Sequence, residues 1–182
     1  MIPIYKIELG ECDGVTKMSL VKYPAVESNF LAFSEEKKKD LNFSIDEEKH
    51  NIFGVALRAN YPIYRYDKSM GEYYVVFTPE VIDELYQKFM IEYKDTNVNL
   101  EHSIETDGVY LIQSLIKGNG IVPNGFDDIE DGSWFVMYHI DNDKVWNGIK
   151  KGEFAGFSVE CFVELSNEPI DDVDLIINDI LD

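Results

Sequence analysis

Five segments between Asn51 and Leu165 are so rich in β-branched and aromatic residues that they read as strands: FGVALR (53–58), EYYVVF (72–77), VYLIQSLI (109–116), WFVMYHI (134–140) and GFSVECFVEL (156–165). The last is the most restrictive, because it alternates. Phe157, Val159, Cys161, Val163 and Leu165 fall on an apolar face, while Ser158, Glu160, Phe162 and Glu164 point the other way. Ser158 is therefore expected on the outward face of a sheet. The chain enters this strand through Gly152, Glu153, Phe154, Ala155 and Gly156, whose glycines permit a close approach of backbone or substrate.

Two helices interrupt the strands. TPEVIDELYQKFM (78–90) has Thr78 as N-cap, Pro79 in the first turn, and Val81, Ile82, Leu85, Tyr86 and Phe89 on one face. DNDKVWNGIKKG starts from a cap at Asp141 or Asn142, carries Val145, Trp146 and Ile149, and ends at Gly152, a suitable C-terminal cap. Between them GNGIVPNGFDDIEDGS (118–133) reads as a loop. Most strands are separated by turns and only two by helices, so the expected fold is mainly β with peripheral helices (α+β), not a doubly wound sheet. Residues 1–50 mix short apolar pieces with the charged run SEEKKKD and read as an N-terminal arm and linker. The expected division is thus 1–50, a main domain at 51–166 and an acidic tail at 167–182.

Composition narrows the partners. The 182 residues are 45% hydrophobic and 13% aromatic, enough for one ordinary core. The 16 Lys+Arg stand against 35 Asp+Glu, a formal charge of -19, so the chain repels nucleic acid and anionic membrane, and a basic protein surface is the better partner. Cys12 and Cys161 stand far apart with no CxxC or Cys/His cluster, which implies neither a disulfide framework nor a zinc site. The start MIPIYKIELGECDG lacks a basic region followed by a long apolar run, and no stretch reaches transmembrane length, so a cytoplasmic protein is expected.

Candidate chemistry centres on few residues. A serine on a solvated strand face is ordinarily only a serine, and GFSVE lacks the second glycine of the G-x-S-x-G elbow, which disfavours an α/β-hydrolase. His102, in VNLEHSIETDG, shares parity with Val98 and Leu100. A straight strand would turn its ring into the core, where a satisfied core histidine is the simplest reading. His139 sits mid-strand beside Phe135 and Met137 and His50 in the linker, so His102 is the best-placed base, given a bulge near Ser103 that turns the ring outward. DNDKVWNG and DDIEDG miss the spacing of a calcium loop, no phosphate loop ends in GK[ST], and GNGIVPNG does not sit between a strand and a helix; neither metal nor cofactor is expected.

NVNLEHSIETDGVYLIQSLIKGNG, followed by DGSWFVMYHIDNDKVWNGIKKGEFAGFSVECFVEL, resembles the XkdF-like branch of phage prohead serine proteases. That branch has a strand ending in a histidine, a Glu-Ser-Trp-like piece, Gly-x-Trp-Phe, a short helix and Gly-Phe-Ser-Ile-Glu-Gly. GVTKMSLVKYPAVESNFLAFS is similar to a Val-x-Leu-Val-x-x-Pro-Ala-Val segment near the start of those proteins, so the similarity spans roughly residues 15–165. The resemblance implies a fold like herpesvirus assemblin, a closed or nearly closed β-barrel ringed by helices, with Ser158 as nucleophile and His102 as base. It also implies a setting, the host cytoplasm inside the assembling prohead, and substrates: scaffold protein, major capsid protein and the protease itself. A homo-oligomer is compatible with it. The chain departs from the pattern at Cys161 in place of glycine, at Gln113 for glutamate and at Leu115 for tryptophan. Assemblins also use an arginine downstream of the nucleophile, and no Lys or Arg follows Ser158 here, so backbone N–H groups or a water must serve the oxyanion. A non-enzymatic internal head protein that keeps the protease fold is the rival reading.

Glu160 is the expected third triad member among Glu101, Glu160 and Glu164. A serine and a carboxylate bridged by one imidazole stand roughly 7–8 Å apart, and residues two apart on a strand share a face and rise about 6.6 Å. Glu164 would be roughly 20 Å away, and Glu101 points opposite to His102. The tail, with acidic Glu164, Glu168, Asp171, Asp172, Asp174, Asp179 and Asp182 among apolar residues, reads as a solvated terminal helix or as one that docks on a scaffold, a neighbouring subunit or the enzyme's own groove.

Overall fold

The computed structural model describes residues 2–10, 13–24, 43–46, 49–92 and 98–170. The strands are β1 (Ile4–Glu8), β2 (Gly14–Val21), β3 (Phe43–Asp46), β4 (Asn51–Leu57), β5 (Ile63–Asp67), β6 (Gly71–Val76), β7 (Val98–Leu100), β8 (Ile104–Thr106), β9 (Val109–Ile116), β10 (Trp134–Ile140), β11 (Gly156–Phe162) and β12 (Glu164–Leu165). The helices are α1 (Pro79–Glu92) and α2 (Asp143–Lys151). The fold is mainly β with two helices among the described residues.

The strands form three four-stranded sheets, ordered β12-β1-β6-β5, β3-β4-β10-β9 and β11-β2-β7-β8. The expected closed or nearly closed barrel is therefore not what the strand pairing gives. The long alternating segment ends its first ladder at Phe162, and β12 leaves to pair with β1 in a different sheet. β11 lies against β4 without joining its ladder.

Residues before 50 also contribute strands to the sheets. β1 pairs with β6 and β12, and β2 lies between β11 and β7, so both are interior strands of their sheets. Met18, Leu20 and Val21 of β2 are buried with the core residues Ile52, Val55, Val98 and Phe157. Short apolar pieces set among charges look like an arm, yet alternate residues of β2 supply one wall of the core. Of the tail, Ser166 and Ile170 donate backbone N–H groups to Lys6 and Ile4 along β1; the expected helix lies outside the described residues.

Helix ends follow the local chemistry. Thr78 precedes α1, with its carbonyl accepting from Ile82 N (3.0 Å), and Ile82, Leu85 and Phe89 are the buried face. Asn142, of the two candidates, caps α2: its side chain accepts from Lys144 N and Val145 N, and Gly152 closes the helix at a left-handed φ of 71°. The segment 118–132 is tied down from within. Buried Lys117 donates its ammonium to the carbonyls of Phe126, Asp127 and Ile129, and Phe126 and Ile129 are buried.

Candidate active site

The sheet β11-β2-β7-β8 sets one row of side chains in register. Ser158 stands opposite Ser19, Ser19 opposite Asn99, and Asn99 opposite Glu105. Directly paired residues share a face, with Cβ atoms about 5 Å apart, so all four project from the same side. Glu160 and its partner Lys17 occupy the next row on that side. The opposite face carries Phe157, Leu20, Met18 and Val98 into the core, which is why the polar residues face out.

His102 reaches this face from a turn. β7 stops at Leu100, and Ser103 N donates to Leu100 O at 3.1 Å, closing a four-residue turn. Both central residues are left-handed, Glu101 at φ 49° and His102 at φ 58°, as in the turns that join tightly paired strands. Neither is glycine or asparagine, so the turn is strained, and such strain gathers at functional sites. The expectation of a core histidine is thereby overturned: the His102 side chain is 44% exposed. The outward ring comes from the turn itself, and not from a bulge near Ser103.

Around Glu160 three donors converge on one oxygen. Oε1 accepts from Asn99 Nδ2 at 2.6 Å and Ser19 Oγ at 2.9 Å, and lies 3.1 Å from His102 Nδ1. His102 Nδ1 is also 3.0 Å from Ser19 Oγ. Burial pushes the Glu160 pKa up, but hydrogen bonds from Asn99, Ser19 and His102 together outweigh it, so the carboxyl lies below its ordinary range and is ionised at neutral pH.

The ring's contacts with Glu160 and Ser19 both go through Nδ1, which leaves Nε2 for another proton. Ser158, half-buried and one row from Glu160 on the same strand, projects from the same side of the sheet as Ser19 and Glu160, which the ring contacts. Ser19 is completely buried (0%), which denies a substrate access to its hydroxyl.

The other candidate carboxylates lie elsewhere. Glu101 accepts from Lys22 N at 2.6 Å, and Glu164 sits on β12 opposite Glu8. His139 contacts Asn51 and Asp141, and His50 stacks on Trp146, its ring centroid 4.5 Å away. Cys161 follows a register shift in which Thr16 is the extra residue on β2, its Oγ1 donating to Glu160 O. Burial pushes the Cys161 thiol up to about 11, which keeps it protonated and inert.

A family model described as "Putative phage serine protease XkdF" matches residues 44–167. The chain belongs to this family. The match takes in Ser158, His102, Glu160 and Asn99, and it begins after β2 and Ser19. No curated protein and no solved structure matches the chain.

Sequence reasoning missed Ser19 and Asn99. Each is the polar residue between two apolar neighbours, Met18 and Leu20 or Val98 and Leu100. That alternation marks a polar face. Which side chains would then cover the face depends on strands distant in sequence.

Proposed function

We propose that this chain is a serine endopeptidase that acts within an assembling phage prohead, with Ser158 as nucleophile, His102 as general base and Glu160 as the group that orients the base. The observation carrying this reading is that His102 is held by its Nδ1 against an ionised Glu160, on the sheet face from which Ser158 projects. His102 Nε2 takes the proton from Ser158 Oγ as that oxygen bonds to the scissile carbonyl carbon. The same proton passes to the leaving amine as the C–N bond breaks. A water, activated by the same base, then splits the acyl-enzyme into a new carboxylate and the free serine. Backbone N–H groups or a water serve the oxyanion.

Scaffold protein, the capsid protein's N-terminal segment and the chain itself are the proposed substrates, cut inside the immature shell in the host cytoplasm. Kinship with the HK97-type proteases and with herpesvirus assemblin is proposed through the strand-borne serine and the outward histidine. The missing downstream basic residue favours a second reading, an internal head protein that keeps the fold without the activity.

The test is incubation of the purified chain with its own scaffold protein, beside Ser158→Ala. Ser158 is a half-buried residue of the outward row, so its loss leaves packing intact. Cleavage by the native chain and none by a folded Ser158→Ala is expected. Equal cleavage by both, or none by the native chain, overturns the reading.

A further inference from the structure

We infer that Ser19 and Asn99 are positioning residues of this site: Ser19 fixes which nitrogen of His102 carries the proton, and Asn99 holds the Glu160 carboxylate that faces it. The inference rests on the peptidase reading for its consequence and on hydrogen-bond chemistry for its argument.

Ser19 Oγ, His102 Nδ1 and Glu160 Oε1 form a nearly equilateral triangle with sides of 3.0, 2.9 and 3.1 Å. A carboxylate only accepts, and a serine hydroxyl has one proton. The Ser19 proton therefore goes to Glu160, and toward His102 the serine oxygen can only accept. Nδ1 must then be the protonated nitrogen, with its N–H shared between Ser19 and Glu160. The neutral ring is left with a bare Nε2, the form a general base requires. Glu160 alone could also accept from Nδ1, but a second acceptor on the same N–H narrows the ring to one orientation and one tautomer.

Asn99 completes the arrangement at a visible cost to the fold. Its Nδ2 must face Glu160, because Oδ1 would repel the carboxylate. Oδ1 is then left buried with no hydrogen-bond partner among the described residues. A residue serving packing alone would not leave a carbonyl orphaned in a nearly buried position. Neither side chain meets substrate: Ser19 is fully buried, and Asn99 is buried with its amide against Glu160.

The experiment is nitrogen NMR of the full-length chain, with the His102 ring signals identified by their loss in His102→Gln. Spectra are recorded well above the ordinary imidazole pKa of about 6.5, and peptide turnover is measured in parallel. The native chain is expected to show a protonated Nδ1 and a bare Nε2. In Ser19→Ala both ring signals should move toward the average of two tautomers, with kcat lower on the order of 10-fold and KM nearly unchanged. Ser19→Cys, close in volume and still carrying a weak donor, should fall between, and it supplies the answer if alanine at this position prevents folding. A native tautomer in the folded variant, or a tautomer change with unaltered kcat, overturns the inference. If the native chain cleaves nothing, the peptidase reading fails on its own, and the NMR comparison still decides whether Ser19 sets the tautomer.

Discussion

At the scale of single residues, the ionised state of Glu160 is maintained by three donors against the opposing effect of burial. Glu160→Gln replaces an acceptor pair by an amide whose NH2 group repels the donors around it. The expected result is a turnover loss on the order of 10²-fold or more, with Glu164→Gln near native, since Glu164 lies on β12 away from the imidazole. Wild-type turnover in Glu160→Gln would sink the assignment. The same carboxyl shapes stability. Its folded pKa lies below the ordinary value of 4.5, so its contribution is present above that value and is lost as pH falls through the folded pKa. The stability advantage of the native chain over Glu160→Gln in denaturant titrations should therefore shrink as pH is lowered from neutral into the acid range below about 4.5. The shared outward face of Ser158 and Glu160 is legible from the alternation of their strand, and their separation from strand rise, whereas the parity of His102 pointed its ring inward. Ser19 and Asn99 were not legible, because a polar residue in an apolar strand says nothing of what will lie over it.

At the scale of elements, local chemistry decided what could be read. Both helices announce their starts, Thr78 and Pro79 for α1 and Asn142 for α2, and α2 its end at Gly152, because caps are properties of neighbouring residues. β9 and β10 begin and end where their residue types change. The strand expected to run through His102 instead breaks after Leu100, where Ser103 N turns back to Leu100 O. No glycine or asparagine marks that turn, so it is imposed by the pairing of β7 with β8 and not by its own residues. The loop before β10 offers a sharper test. Gly132 has φ 87°, and a Cβ there would come within 2.6 Å of Pro79 Cβ at the start of α1. Gly132→Ala should lower stability by roughly 1–3 kcal/mol, seen as a drop of several degrees in Tm with the secondary structure retained. An unchanged Tm would mean that the loop does not hold this approach to α1.

At the scale of the whole molecule, the sequence concealed the role of its first strands. β1 and β2 are interior strands, but their few apolar residues gain meaning only when β6, β7, β11 and β12 flank them. A fragment limited to residues 44–167, the stretch shared with the family, would leave β6, β7 and β11 with unpaired edges. That fragment should show no cooperative thermal transition by circular dichroism, whereas the full chain should; a fragment that melts as sharply as the full chain would refute the integral role of β2. The same topology sets a clock. Ser19 and Glu160 are 141 positions apart, so the carboxylate's hydrogen bond waits until everything between them has left the ribosome. Pairings of such separation close late and slowly, after the local hairpins and helices. Until Glu160 has been made and its strand has paired with β2, the histidine of a nascent chain therefore lacks its carboxylate.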